Sequence, residues 1–311
     1  MLVYVIGHKK PDTDTIVSAM AYAEFKKRLG LDAVAARAGE LNPETKFVFE
    51  KFGAEPPMLL ENARGKKLIL VDHNEASQMV DGYDEAEILE IIDHHRLGGF
   101  VTAKPIFVHI EPIGSTTTII AKFFFNREFE IPADLAKLMV SAILSDTVIF
   151  RSPTCTEEDK EVAHRLAEIA GLKDLEKLGI DMFKAKSRIA EKTPREIILT
   201  DFKEYIFGGV KVGIGQVETV DLSEVEAKRN EILREMKTLA SERNYGLLIM
   251  MLTDIINRGS LLLYVSEKPE LFKEIFGRVY ELEPRGENAY YIKGLMSRKK
   301  QVVPPIQEYF K

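Results

Sequence analysis

Three apolar runs in the first hundred residues each end in a cluster of aspartate and histidine. Leu2-Val3-Tyr4-Val5-Ile6 leads into Gly7-His8-Lys9-Lys10-Pro11-Asp12-Thr13-Asp14-Thr15. Lys67-Leu68-Ile69-Leu70-Val71 ends in Asp72-His73-Asn74, and residues 87–92 end in Asp93-His94-His95. Runs of that length and β-branched content read as buried strands, and helical patterns separate them, so the chain must build a parallel sheet. Such a sheet collects all three clusters beyond the carboxyl ends of its strands, where open α/β sheets bind ligands. Asp12 and Asp14 would repel each other there unless a cation lay between them, although either one alone also reads as a helix N-cap.

The remaining first half continues the alternation. Residues 33–36 read as a strand, and Asn42-Pro43-Glu44 opens a helix through a cap with proline after it. Gly114-Ser115-Thr116-Thr117 starts a helix whose free amides suit an anion or a simple cap. A helix from Pro132 ends at Ser145-Asp146-Thr147, and helical patterns follow at 156–170 and 172–182. Around 184–193 the period lapses before Pro194, which places a domain boundary there. The expected division is a domain over 1–186, a linker over 187–194 and a second, smaller α/β domain over 195–311. In the second, residues 197–207, Gly208-Gly209 and residues 210–217 read as a β-hairpin, 223–244 as a long amphipathic helix, and 246–252 and 261–265 as strands. Pro269 is expected to start a short helix reaching Phe276.

Composition narrows the function classes. The 311 residues are 45% hydrophobic and 30% charged, the balance of an ordinary folded chain. A net charge of -6 argues against broad nucleic-acid binding, and no apolar run is long enough for a membrane span. A single cysteine, Cys155, excludes an internal disulfide or a cysteine zinc cluster and points to a reducing cytoplasm; nothing near it marks a nucleophile.

The candidate ligands are His8, Asp12, Asp14, Asp72, His94 and Asp146, with His95 beside them. Carboxylate plus imidazole suits first-row divalent ions better than calcium. Four aspartates are too many for one such ion and right for two, because a carboxylate can bridge metals about 3.5–4 Å apart. His73 stands as a supporting or packing residue, and His109 and His164 as core or surface.

GHKKPDTD, VDHN, DHH and SDT, in this order, resemble the DHH phosphoesterase superfamily, and SRKKQVVP resembles the C-terminal mark of its family II inorganic pyrophosphatases. The resemblance covers essentially the whole chain. It implies an N-terminal parallel-sheet DHH domain with helices on both faces, a smaller C-terminal DHH-associated domain, and an active site in the interdomain cleft that closes over substrate. It further implies that His8 and Asp12 bind a first manganese or cobalt ion, that Asp14, His94 and Asp146 bind a second, and that Asp72 bridges them. His95, Lys203, Arg298 and Lys299 would contact inorganic diphosphate, with Lys211 on the partner strand as the competitor of Lys203 and Lys300 left solvated. A homodimer through the N-terminal domain and no regulatory insertion complete the expectation.

The expected reaction is hydrolysis of diphosphate to two phosphates by a water or hydroxide bridging both metals, with additional magnesium arriving with the substrate. His95 would protonate or simply hold the departing phosphate. The rival readings are a short-chain exopolyphosphatase, another DHH phosphoesterase such as a nuclease, and a non-catalytic metal- or phosphate-binding regulator. Gly208-Gly209-Val210-Lys211 lacks the histidine of the glycine-rich motif that the nuclease relatives carry.

Overall fold

A computed structural model describes residues 2–311 apart from Arg188, Ala190 and Pro269. The chain divides into two compact units, Met1–Lys186 and Ser187–Lys311. The first contains β1 (Val3–Ile6), α1 (Thr13–Arg28), β2 (Ala33–Arg37), α2 (Pro43–Phe52), β3 (Met58–Leu59), β4 (Lys67–Val71), β5 (Glu87–Asp93), β6 (Phe107–Ile110), α3 (Thr116–Asn126), α4 (Ala133–Asp146), α5 (Glu157–Ala170) and α6 (Leu175–Ser187).

Its six strands run parallel in the order β3-β2-β1-β4-β5-β6. The order reverses direction between β1 and β4, so the loops after these two strands diverge and leave a crevice at their carboxyl ends. His8 follows β1, Asp72 follows β4, and His94 follows β5, which makes the topology itself the device that gathers them. The short strands β3 and β6 escape sequence reading because they are too brief and too exposed to carry an apolar run. Met58, Phe107 and Val108 are all half exposed.

The sheet's apolar side chains divide between its faces. Ile6, Leu68, Leu70 and Ile91 pack against Leu60 and Ala63 of the β3–β4 connection and against Met79 and Val80, which lie between two 3₁₀ turns. Helix ends are built from local chemistry. Asn42 caps α2 by accepting from the Thr45 amide at 2.8 Å, and Thr156 and Asp159 form a reciprocal capping box at the start of α5.

The second unit contains α7 (Pro194–Ile198), β7 (Lys203–Phe207), β8 (Val210–Thr219), α8 (Ser223–Arg243), β9 (Leu247–Asp254), β10 (Gly259–Ser266), α9 (Leu271–Phe276), β11 (Glu283–Pro284), β12 (Ala289–Lys293) and α10 (Val303–Tyr309). Its sheet is mixed, in the order β11-β12-β10-β9-β8-β7, with β8 and β9 parallel and the other neighbours antiparallel. Gly208 and Gly209, at φ of 53° and 80°, make the tight turn between β7 and β8. The strand expected from Ile197 does not form: Thr193 and Glu196 make a capping box with Pro194 behind the cap, so residues 194–198 turn helical and β7 begins at Lys203. Helix α9 begins at Leu271, and the expected start at Pro269 lies outside the described residues. The tail forms a wide π-helical turn over Arg298–Val302 before α10.

Immediately after α4 the backbone is unusual. Val148, Ile149 and Phe150 lie at φ of 50°, 53° and 62°, a conformation that β-branched residues rarely adopt. The turn is held by Ile149 N–H donating to Leu144 O at 2.8 Å and by burial of Ile149 against α6. Only a glycine fits opposite, since a Cβ on Gly179 would lie 2.6 Å from Ile149 Cγ1. Gly179→Ala is therefore expected to destabilise the protein by about 1–3 kcal/mol through overpacking. Urea unfolding of the two proteins checks this, and an unchanged midpoint and slope would contradict it.

Candidate metal centre

Asp12 occupies the N-cap position of α1, and its two oxygens do different things. Oδ1 accepts from the Thr15 amide at 2.9 Å, while Oδ2 lies 3.6 Å from His8 Nε2. Capping and site membership therefore coexist on one carboxylate. Asp14, in the first turn of α1, is fully buried and meets the N-terminus of α3. Its Oδ2 accepts from the Thr116 amide at 2.7 Å, and its Oδ1 accepts from the Thr117 amide at 3.0 Å and the Ser115 hydroxyl at 2.8 Å. The anion that the α3 amides meet is this side chain.

Asp72 sits in the middle. It has a left-handed backbone, φ 62°, which aspartate tolerates better than most residues, and its amide donates to Ile92 O at 2.9 Å. Thr15 donates to its Oδ2 at 2.5 Å and Thr116 to its Oδ1 at 3.0 Å. These hydroxyls pin the carboxylate so that Oδ2 faces His8 Nε2 at 3.8 Å and Oδ1 faces His94 Nε2 at 3.4 Å. Asp146, the last residue of α4, brings its Oδ2 to 3.5 Å from the same His94 nitrogen.

His8, Asp12 and Asp72 form one group whose ligand atoms lie within 4.8 Å of one another; Asp14, Asp72, His94 and Asp146 form a second. Asp72 belongs to both. All six sequence-derived candidates thus come together, and the shared one has an oxygen directed to each side. A third grouping, Asp72 with His94 and His95, also satisfies the distance. In it His95 Nδ1 stands 3.8 Å from Asp72 Oδ1 but is already bonded to Asp93 Oδ1 at 2.9 Å, so that nitrogen is committed elsewhere.

A test of fit lies in His94. Its Nδ1 donates to Ile113 O at 2.9 Å, leaving Nε2 with its lone pair outward. That Nε2 is buried and has no hydrogen-bond partner among the described residues, yet it points between two carboxylates. A lone pair aimed at carboxylate oxygens is repulsive unless a proton or a metal ion intervenes. The donor set of imidazole nitrogen and carboxylate oxygen matches manganese, cobalt or iron.

Without a cation the cluster must hold protons instead. Burial, followed by the nearby Asp14 charge, pushes Asp72 up to about 6. Burial and the charges of Asp14, Asp12 and Asp72 raise Asp146 well above the carboxylate range. For His94, burial opposes the charged ring, yet Asp72 and Asp14 hold it up to about 10. His8 is raised in the same way, by Asp12 and Asp72 against the effect of burial.

The sequence marked the helix start at residues 114–117 as able to meet an anion, but not that the anion is Asp14 or that the hydroxyls there and Thr15 hold the candidate ligands in place. Thr15, Ser115, Thr116 and Thr117 carry no ligand signature, only the hydroxyls and amides that fix Asp14 and Asp72. Asp93, fully buried, accepts from the His94 and His95 amides at 2.8 and 3.1 Å and from Asn74 Nδ2 at 2.6 Å, so the aspartate of Asp-His-His shapes the turn instead of joining the ligands. His73 is buried, donates from Nδ1 to Val71 O at 2.8 Å and is pushed down to about 4 by burial; it packs edge-on against His8.

In the second unit, Lys203 begins β7 and is paired in register with Ile214. Arg298 donates to Asp201 Oδ2 at 2.9 Å and reaches Ile214 O, on the β8 residue that pairs in register with Lys203, at 3.5 Å. Lys299 is exposed on the π-helical turn. Lys211 is engaged, 3.0 Å from Glu204 Oε1 and 4.6 Å from the centre of the Tyr245 ring. Among the described residues Lys203 has no carboxylate within ion-pair distance. Asp201, which orients Arg298, was visible only as a neighbour of Lys203 in the sequence.

The class follows from fold and site together: residues 2–143 match the DHH family, N-terminal domain, and residues 180–309 match the DHHA2 domain. A manganese-dependent inorganic pyrophosphatase of Methanothrix thermoacetophila is 47% identical over 99% of this chain and 98% of its own length, and one of Methanocaldococcus jannaschii is 45% identical over 99% of both. The crystal structure of a putative family II inorganic pyrophosphatase from Methanococcus jannaschii, 45% identical, matches with a TM-score of 0.63 over 99% of each chain. An exopolyphosphatase-related protein from Bacteroides fragilis shares the fold at a TM-score of 0.50 and 13% identity, over 99% of this chain and 91% of its own. The chain belongs to the manganese-dependent, family II inorganic pyrophosphatases.

The raised imidazoles give the metal-free protein a specific pH signature. A histidine whose folded pKa exceeds its unfolded value stabilises fully below about 6.5 and loses that contribution as pH rises through the folded value, here about 10 for His94. Metal-free protein should therefore lose stability between pH 6.5 and 10, by about 1.4 kcal/mol per pH unit for one such proton. With manganese bound, imidazoles that held the metal would no longer take up protons, and the slope should flatten. Thermal unfolding across that range checks it; a metal-free protein equally stable at both ends would contradict it.

Proposed function

We propose that this chain hydrolyses inorganic diphosphate to two phosphates, using two manganese or cobalt ions per subunit, with additional magnesium carried in by the substrate. The observation that carries the reading is the sharing of Asp72 between two ligand groups. His8 and Asp12 would hold one ion, Asp14, His94 and Asp146 the other, with Asp72 available to both. When bound, such a pair of ions supplies Lewis acidity and activates water at neutral pH.

The chain's own residues do the rest. Thr15 and Thr116 fix the Asp72 carboxylate so that its oxygens cannot rotate away from either imidazole. Four aspartates against two divalent cations leave the core near neutral, so a diphosphate needs further positive partners. Arg298, Lys299 and Lys203 on the second domain are the groups we assign to it, and Asp201 keeps the Arg298 guanidinium oriented. Asp93 fixes the His95 ring through Nδ1, and its negative charge favours the protonated form, which leaves the other ring nitrogen to hold or protonate a departing phosphate.

The same reading places the protein in the cytoplasm, consistent with one cysteine in 311 residues. Among the described residues, no helix is long and apolar enough to cross a membrane. A homodimer through the first domain is supported by the edge strand β6, where Phe107 and Val108 are half exposed.

Phosphate release from diphosphate in the presence of manganese tests the proposal. Lys203→Ala should raise KM by about tenfold, the loss expected for a charged contact of about 1.4 kcal/mol, while Lys211→Ala should stay near wild type. Absence of release with either manganese or cobalt, or a strong preference for tripolyphosphate, would overturn it.

A further inference from the structure

We propose that Asp159 is a positioning residue for the ion held by Asp14, Asp72, His94 and Asp146, acting through the first turn of α3. The inference rests on the two-ion reading above. Asp159 has no exposed surface and takes no part in either ligand group. Its role as the third residue of the α5 capping box uses only part of its capacity. Oδ2 accepts from the Thr156 amide and hydroxyl, both at 2.8 Å, and also from the Gly114 amide at 2.9 Å. Oδ1 accepts from the Thr118 hydroxyl at 2.7 Å. A buried carboxylate thus holds residues 114 and 118, which bracket the start of α3.

Between those two anchors lie the groups that grip the ligands. Ser115, Thr116 and Thr117 give three hydrogen bonds to Asp14, and the Thr116 hydroxyl gives one to Asp72. The same segment touches the fourth element of the site. A Cβ on Gly114 would lie 2.7 Å from Asp159 Oδ2 and 2.8 Å from Thr147 Cγ2, and Thr147 directly follows Asp146. Glycine 114 therefore sits where α5 closes on the beginning of α3 and the end of α4. Among the described residues, no hydrogen bond from this turn reaches His8 or Asp12. The arrangement is asymmetric: loosening the turn disturbs one ion group and spares the unshared ligands of the other.

Titration calorimetry of manganese into the metal-free, full-length protein tests this. The unaltered chain should take up two ions. Asp159→Ala should weaken one of them by about tenfold or more, the effect typical of residues that hold metal ligands in place, and leave the other within about twofold. Asp159→Asn retains an acceptor for the Gly114 amide and should recover most of the loss. Thr118→Val, nearly isosteric and lacking one of the four bonds, should weaken the same ion by less, and it carries the comparison if Asp159→Ala does not fold. Electron paramagnetic resonance identifies the affected ion, since losing one member of a coupled manganese pair leaves the spectrum of an isolated ion. Equal weakening of both ions, or unchanged affinities alongside a lowered melting temperature, would reduce Asp159 to a structural cap and overturn the inference. Uptake of fewer than two ions by the unaltered chain would instead overturn the two-ion reading itself, and the inference with it.

Discussion

Carboxylates brought this close together repel, and the first domain is organised around that repulsion. Asp12, Asp14, Asp72 and Asp146 converge on two imidazoles, and Asp14 is fully buried while Asp72 is 1% exposed. In a medium of reduced dielectric such a cluster cannot stay fully ionised by itself. Its carboxylates and histidines shift towards their protonated forms, as the raised values of Asp72, Asp146 and His94 express. Bound divalent cations would remove the same strain more completely, because each can be shared among several oxygens at once. The stability of the first domain is therefore expected to depend on bound cations.

Three structural devices keep the cluster from relaxing. The reversal of strand order between β1 and β4 opens the crevice. The N-terminus of α3 then neutralises part of the Asp14 charge through two amides and a hydroxyl, so this ligand is oriented without any positive side chain. The left-handed backbone at Asp72, with threonine hydroxyls on both of its oxygens, fixes the carboxylate that both ligand groups share. The left-handed residues 148–150 show that the chain accepts backbone strain immediately beyond Asp146 as well.

Much of this was legible from the sequence, and for a physical reason. A buried parallel strand is a short apolar run, and a ligand at its carboxyl end follows directly, so His8, Asp72 and His94 could be placed from local pattern alone. Asp146 lies at the end of a helix far along the chain, so spacing made it the least secure of the candidates and motif resemblance tied it to the others. What stayed hidden is supplied by small polar side chains. Thr15, Ser115, Thr116 and Asp159 look like ordinary caps in the sequence, because capping and ligand support use the same residue types and differ only in what the side chain meets across the fold. Strands β3 and β6 were missed because edge strands of two and four residues, half exposed, leave no apolar run. The misplaced start of β7 has the opposite origin, since the strong local signal of Thr193, Pro194 and Glu196 for a helix outweighed the apolar content of Ile197 and Ile198.

The central claim is that Asp72 bridges two ions. Anomalous diffraction at the manganese edge from crystals grown with manganese would test it most directly. The account predicts two peaks about 3.5–4 Å apart, one beside Asp72 Oδ2 with His8 and Asp12 and one beside Oδ1 with Asp14, His94 and Asp146. A single peak, or two peaks that do not share Asp72, would contradict it.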